Sequence, residues 1–461
     1  MTKNPTYDLV IIGGGVSGAA QFYAAAKYST IQSVALFEKE SGAGAVNSAA
    51  RNNSQTLHEG DIETNYDAKK ARAVKHKAGF TRTYLERTKS ARVGELYVPG
   101  PKMVLGVGPK ETRFLEERFL AFRELYPELQ KLNRAALKEK EPKLVEGRAD
   151  DEELVALYNE AGLTINYGKL ATALLDDAKD IFATKRERTG EIFFDKKVQS
   201  LRRVEGGFEL EINGTKVTAR YVSVCAGAHS MYFAKKLRLQ AVSDTSLLLV
   251  AGNFYYTPKF LKAKVYTVQN PKLPFSAVHG DPDIMNLDTK TRYGPTTRVV
   301  ATLERHKPGT FLDYLATVSP FLGSLTAYIR IMFDAEFFWY AFKHNVLFSI
   351  PIYGNWLFVK EARKIIPTMK LSDLTRAKGQ GGVRPQIVKT NEKHPLSLGE
   401  AKITDTHIRF NVTPSPGATT CVYNGLLDVS EIAKELGYEF YNHRVTADFG
   451  RELVPGVTIV S

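Results

Sequence analysis

The chain has 461 residues, 43% of them hydrophobic and 25% charged, which allows a large core and excludes the low-hydrophobicity composition of a disordered protein. Lys and Arg number 63 against 50 Asp and Glu, a formal charge of +13, so an anionic partner is favoured: a lipid surface, nucleic acid or an acidic metabolite. The two cysteines, Cys225 and Cys421, are far apart and in no metal-ligand spacing, so neither a disulfide framework nor a metal site is expected.

Residues 7–12, YDLVII, are a short β-branched run that predicts a buried parallel strand. The polar leader before it leaves no room for a signal peptide, and a cytoplasmic location is expected. Gly13, Gly15 and Gly18 follow in GGGVSG, and the alanine-rich residues 16–28 predict a helix. A second strand, SVALFE, ends at Glu38. This order is that of a dinucleotide-binding unit: one glycine makes the tight turn, one lets backbone approach a pyrophosphate, and one lets helix and strand pack closely. Glu38 would then accept the ribose hydroxyls.

Residues 68–160 read as largely helical, with Lys, Arg and Glu on solvated faces. INYGKLATALLDDAKDIFA predicts a further helix, and EIFFD, KVQSLRRV, GFELEIN and YVSVCAGA predict strands. The last suits a strand returning to the first sheet and pressing Ala226 and Gly227 against a ligand. Residues 241–374 are rich in strand and aromatic signals and are the natural candidate for a substrate domain. Within them, 311–359 holds two uncharged stretches around FFWYAF. Each is interrupted by Pro and Gly and falls short of the ~20 apolar residues that span a bilayer. Such a segment is either core or a surface that dips into a membrane interface. GGVRPQIVK predicts a strand, and TPSPGATT a turn leading into a helix that starts near Ala418 or Thr419.

In chain order, IIGGGVSG, NNSQTLHEGDIETNY, EGR at 146–148, TINYG at 164–168, CAGAHS, HGD, YGP, GVRPQIVK and TPSPGATT resemble the malate:quinone oxidoreductase family. That family is a branch of the FAD-dependent oxidoreductases built like D-amino-acid oxidase, and the resemblance runs from residue 7 to about residue 440. It implies an α/β architecture: a Rossmann-like FAD-binding domain with a mostly parallel sheet and an added β-meander, from residues 1–75, 165–240 and 375–461. An α+β substrate-binding domain with a mixed or antiparallel sheet would come from 76–164 and 241–374. The resemblance also implies noncovalent FAD, held by Gly13, Gly15, Gly18, Glu38, Asn53, Val198, Ala226, Gly227, Gly417, Ala418 and Thr419. The implied reaction is oxidation of (S)-malate to oxaloacetate, with hydride passing from C2 to flavin N5 and electrons to a membrane quinone. An enzyme of this kind would sit on the inner face of the cell membrane.

Oxidising a 2-hydroxy acid requires a base for the hydroxyl proton and cations for the carboxylates. Histidine titrates near working pH, and His58 and His279 both match family histidines, with Asp281 placed to orient the second. Arg384 could fork onto a substrate carboxylate, and Arg292, Arg298 and Lys102 are candidates for a second cation. A helix N-terminus at 417–419 would stabilise negative charge on a reduced flavin. A nicotinamide acceptor would need a second phosphate-binding fingerprint, and none follows the first, which favours quinone. Two rivals stand beside this reading: the same scaffold acting on another 2-hydroxy acid such as 2-hydroxyglutarate, and a nucleotide-binding protein whose basic surface holds nucleic acid. Against the latter, the chain has no RNA-binding motif or recognition-helix pattern.

Overall fold

The computed structural model describes residues 6–87, 94–185, 187–270, 277–318, 321–393, 395–397, 401–412 and 416–454. The strand Thr6–Ile12 lies at the centre of an eight-stranded sheet, flanked in parallel by Ser33–Phe37 and Thr215–Val224. Thr189–Phe193 and Ile408–Val412 extend the parallel array on its two sides, and Ala401–Asp405 closes one edge antiparallel. Val198–Val204 and Gly207–Ile212 form a meander that hangs from Thr215–Val224. Because side chains alternate along a strand, the continuous apolar run of the first strand feeds two cores. Leu9 and Ile11 pack under the helices Val16–Tyr28, Tyr167–Ala183 and Cys421–Leu436, whereas Val10 and Ile12 pack under the meander and the helix His229–Lys236.

A second eight-stranded sheet is mixed. Its order runs Thr375–Ala377, Phe254–Pro258, Lys290–Gly294, His279–Pro282, Lys264–Thr267, Lys102–Val107, Leu154–Asn159 and Gln130–Asn133. A smaller sheet contains Arg298–Val300, Thr245–Ala251 and Val383–Lys389. Residues 52–58 run beside the strand Leu163–Ile165, with Thr56 bridging to Thr164 and the Leu57 N–H bonded to the Leu163 carbonyl.

Two stretches differ from the sequence expectation. Residues 68–160 contain the helices Ala68–Glu86 and Pro109–Phe122, but also the strands Tyr97–Pro99, Lys102–Val107, Gln130–Asn133 and Leu154–Asn159. The charged flanks hide these strands in sequence, because a buried lysine reads as a solvated one. Residues 241–374 are strand-rich only in their first part. From Phe311 onward they are helical, as Phe311–Thr317, Phe321–Met332, Ala335–Asn345 and Tyr353–Ala362. Their aromatic content read as strand, yet the side chains follow a helical period and many face outward. The C-terminal helix begins at Cys421, after a turn over residues 416–420 rather than at Ala418 or Thr419. Residues 413–415 of the preceding segment lie outside the described residues.

Helices Val16–Tyr28 and Cys421–Leu436 cross at a glycine. A Cβ on Gly425 would sit 2.7 Å from the Ala20 carbonyl carbon, so Gly425→Ala must force the helices apart. The expected cost is about 1–3 kcal/mol, read as a lower urea midpoint. An unchanged midpoint would mean that the crossing is looser than its geometry indicates.

Candidate active site

Glycines shape one end of a cavity of about 570 Å³. Gly13 has φ +108°, and a Cβ there would stand 2.6 Å from the Cys225 carbonyl oxygen. A Cβ on Gly18 would strike the carbonyl oxygen of Gly13. Gly15, Val16 and Ser17, the first turn of the helix that follows, line the cavity, and the Val16 N–H donates to Ser48 Oγ at 3.1 Å. A helix N-terminus that opens on glycine is what a pyrophosphate requires. Glu38, Val198, Ala226 and Gly227 also line this cavity. Glu38 accepts hydrogen bonds from the Gly14 N–H (2.6 Å) and the Glu40 N–H (2.8 Å). Burial outweighs these donors and holds its carboxyl above the usual range.

The same cavity is lined by Asn53, His58, Arg384, Ala418 and Thr419. Gly18 supports the turn from behind, and Gly417 precedes the lining residues Ala418 and Thr419. Asn53 organises the loop before it: its amide nitrogen donates to the carbonyls of Asn47, Ser48 and Ala49 at 3.0–3.1 Å. Thr419 ties the C-terminal turn to the histidine segment, since its Oγ1 accepts the His58 N–H at 3.1 Å while its carbonyl accepts from Thr81.

His58 is held on both sides. Its Nδ1 lies 2.6 Å from Glu63 Oε1, and its Nε2 lies 3.1 Å from Ser54 Oγ. Glu63 is buried, which disfavours its charge, but the hydrogen bond to His58, the His58 charge and the nearby Lys102 outweigh burial and keep its carboxyl below the usual range. The pair is therefore an imidazole backed by a carboxylate, which fixes which ring nitrogen faces the cavity. Glu63 went unnoticed in the sequence. The only signal was its position five residues after His58, and segment geometry, not a helical period, makes the two meet.

Arg384 stands on the strand Val383–Lys389 and makes no ion pair with the described residues. Burial lowers its pKa, against the nearby Tyr266 and Tyr340 hydroxyls. Tyr266 is common to both groups: its ring lies edge-on to His58 at 6.1 Å. A half-buried guanidinium with no counter-charge among the described residues, opening on the same cavity as a carboxylate-backed imidazole, suits a small anionic substrate.

The structure does not bring His279 to the cavity wall. It sits opposite Tyr266 in the sheet, stacked on that ring at 4.5 Å and 3% exposed. Its Nε2 is 3.2 Å from Asp281 Oδ2, out of line for a hydrogen bond, and burial pushes its pKa down. Two of the candidate second cations are also engaged elsewhere. Arg292 donates to the carbonyls of Ala50 and Asn53, and Lys102 pairs with Glu59 and Asp61, both at 2.9 Å.

The profile of the family described as malate:quinone oxidoreductase (Mqo) matches residues 5–446. The chain is 39% identical to a probable malate:quinone oxidoreductase of Campylobacter jejuni, covering 96% of this chain and 98% of that one. It is likewise 39% identical to a malate:quinone oxidoreductase of Helicobacter pylori, over 97% and 98%. The chain belongs to the malate:quinone oxidoreductase family. Among solved structures, L-α-glycerophosphate oxidase of Mycoplasma pneumoniae, with FAD bound, superposes with a TM-score of 0.64 at 15% identity, covering 94% of this chain and 96% of that one. Glycine oxidase of Geobacillus kaustophilus gives 0.61 at 19% identity, over 93% and 95%. This family member thus has the fold of the FAD-dependent oxidoreductases.

In this malate:quinone oxidoreductase family member the histidine segment, HEGDIE, rests on one ammonium. Lys102, 0% exposed, meets two buried carboxylates, and Arg82 forks onto Glu59 at 2.7 and 2.8 Å. Burial alone would raise the Glu59 carboxyl, yet Lys102 and Arg82 bring it to about 2. Against an unfolded value of roughly 4.3, this lowered pKa contributes stability above about pH 4.3 that is lost as pH falls toward the folded value. Lys102→Met leaves Glu59 and Asp61 without that charge and should cost about 3–5 kcal/mol at pH 7. Burial then raises both carboxyls, so part of the loss should return between pH 7 and pH 5. Urea unfolding at the two pH values measures both effects.

Proposed function

We propose that this protein oxidises (S)-malate to oxaloacetate with noncovalently bound FAD and passes the electrons to a membrane quinone. The observation that carries this reading is the shared cavity: a glycine-lined cradle continuous with His58, backed by Glu63, and with the unpaired Arg384. FAD would lie with its pyrophosphate on Gly13, Gly15 and the first helical turn, its ribose at Glu38, and its ring system toward His58 and the turn at Ala418 and Thr419. When bound it supplies the two-electron acceptor for the hydride that leaves substrate C2.

The protein's own part is to place the substrate and move one proton. Arg384 binds a carboxylate, bidentate where the geometry allows, and its partial burial strengthens that attraction. Ser54 now faces His58 Nε2, and a substrate hydroxyl in its place would present its proton to that nitrogen. His58 takes the proton as C2 becomes a carbonyl carbon, and the Glu63 carboxylate stabilises the resulting imidazolium. His279 acts indirectly in this reading, by stacking behind Tyr266, which touches the surroundings of both His58 and Arg384.

Access to quinone calls for a membrane surface. Of 22 exposed large hydrophobic side chains among the described residues, 17 fall between Phe311 and Trp356. Phe333 is 83% exposed, Ile352 75%, Leu322 74% and Trp339 59%. So dense an apolar patch marks an interface rather than ordinary surface. Among the described residues no single helix is long and apolar enough to cross a membrane, although Pro308–Thr317 and Phe321–Met332, bent by 101°, would suffice together by length and composition. Helices that lie in the headgroup region of the inner leaflet, aided by the net charge of +13, fit these facts.

Anaerobic titration of the pure protein with malate should bleach the flavin absorbance. Bleaching by 2-hydroxyglutarate but not malate would overturn the substrate assignment and leave the fold intact. His58→Gln is expected to slow malate-dependent flavin reduction about 10²–10⁴-fold, Glu63→Gln to slow it with little change in KM, and Arg384→Lys to raise KM about tenfold through loss of the fork. For the surface, a Phe333→Ser, Trp339→Ser double variant should lose co-sedimentation with anionic phospholipid vesicles while keeping its rate with a water-soluble quinone analogue. Equal sedimentation of the two proteins would remove these helices from the membrane account.

A further inference from the structure

Arginines also gather outside the cavity wall. Arg305 donates from Nη1 to the Gln380 carbonyl at 3.1 Å and from Nη2 to Asn253 Oδ1. Burial, and then the charges of Arg298 and Arg376, pull its pKa down to about 10. Arg298 opens the strand Arg298–Val300, and its Nε is enclosed without a hydrogen-bond partner. Arg376 is exposed on the strand Thr375–Ala377. Arg51 stands at the edge: its carbonyl accepts the Gly381 N–H at 3.1 Å, and its charge reaches His306. None of these four guanidiniums makes an ion pair with the described residues. Glu361, whose charge reaches Tyr255 together with those of Arg298 and Arg376, is held by Lys343.

Like charges gathered without a counter-charge repel one another, and no anion among the described residues offsets that cost by pairing with them. A ligand of opposite charge resolves it. The cluster is tied to the cavity by one short loop. Gln380 receives Arg305, Gly381 runs so close to Gly252 and Arg305 that it tolerates no side chain, and Gly382, Val383 and Arg384 line the cavity. An anion held on the cluster would thus lie one loop away from the unpaired Arg384.

We propose that Arg298, Arg305 and Arg376, with Arg51 at their edge, form a receiving site for a small dianion, which captures the dicarboxylate substrate ahead of the catalytic cavity. The identity of that dianion rests on the reading of malate oxidation given above. The anion site itself does not. Capture by a cationic surface raises the association rate and fades with salt, so kcat/KM should feel it and kcat should not.

Arg376→Gln, at an exposed position, and Arg305→Gln are compared with the wild type and with Arg113→Gln, a charge removed from an exposed position on the helix Pro109–Phe122. At low ionic strength kcat/KM for malate should fall about three- to tenfold in the two cluster variants, with kcat unchanged and a flatter salt dependence; Arg113→Gln should behave as wild type. Independently of turnover, inorganic phosphate should raise the melting temperature of the wild type above that in chloride of equal ionic strength, and the two variants should lose that shift. Co-sedimentation with anionic vesicles should be the same in all four proteins. Unaltered kcat/KM, salt dependence and phosphate shift in both variants would overturn the site. So would a selective loss of vesicle binding with the phosphate shift intact, which would make the cluster a lipid-headgroup contact. A wild type that does not oxidise malate but keeps a phosphate shift abolished by Arg376→Gln would overturn the substrate reading and leave the anion site standing.

Discussion

One buried ammonium holds the histidine segment in place. Lys102 comes from the second sheet and meets Glu59 and Asp61, two residues of the segment that begins at His58, while its charge helps keep Glu63 ionised. Charges buried at this depth are tolerable only when paired, so the segment cannot shift relative to the sheet without stranding an ion. The His58 ring inherits its position from that constraint: Glu63 holds Nδ1, and Nε2 lies 3.1 Å from the hydroxyl of Ser54, which lines the same cavity.

The same economy runs through the rest of the site. Groups that appear cationic and available in the sequence are mostly engaged with the framework. Arg292 braces the carbonyls of Ala50 and Asn53, and Lys102 neutralises two carboxylates. Among the described residues, Arg384 at the cavity and the arginine cluster around Arg305 beyond it make no ion pair.

The apolar helices from Phe311 onward follow a different logic. Their outward aromatics stack mainly on one another, as Trp339 does on Phe342 and Tyr353 on Trp356, and two of these helices are attached through the small sheet that also carries Arg384, since Leu248, Val250 and Val388 pack with Ala327, Ile331 and Phe337. The exposed apolar helices Phe321–Met332 and Ala335–Asn345 and the strand that carries Arg384 therefore share one packed unit.

The dinucleotide cradle was legible in the sequence because its residues are local: strand, glycines, helix and acid follow within 38 residues, and Gly13 and Gly18 answer to backbone contacts that a side chain would break. His58 and Arg384 were legible as chemical types in recognisable segments. Glu63 as partner of His58, Tyr266 as neighbour of both, and the withdrawal of His279 behind that ring were not, because each depends on which strands pair. Lys102 shows the reason most plainly. Its sequence position offers a free cation for a substrate carboxylate, and only the tertiary structure, by delivering Glu59 and Asp61, turns it into a buried strand residue on which the histidine depends.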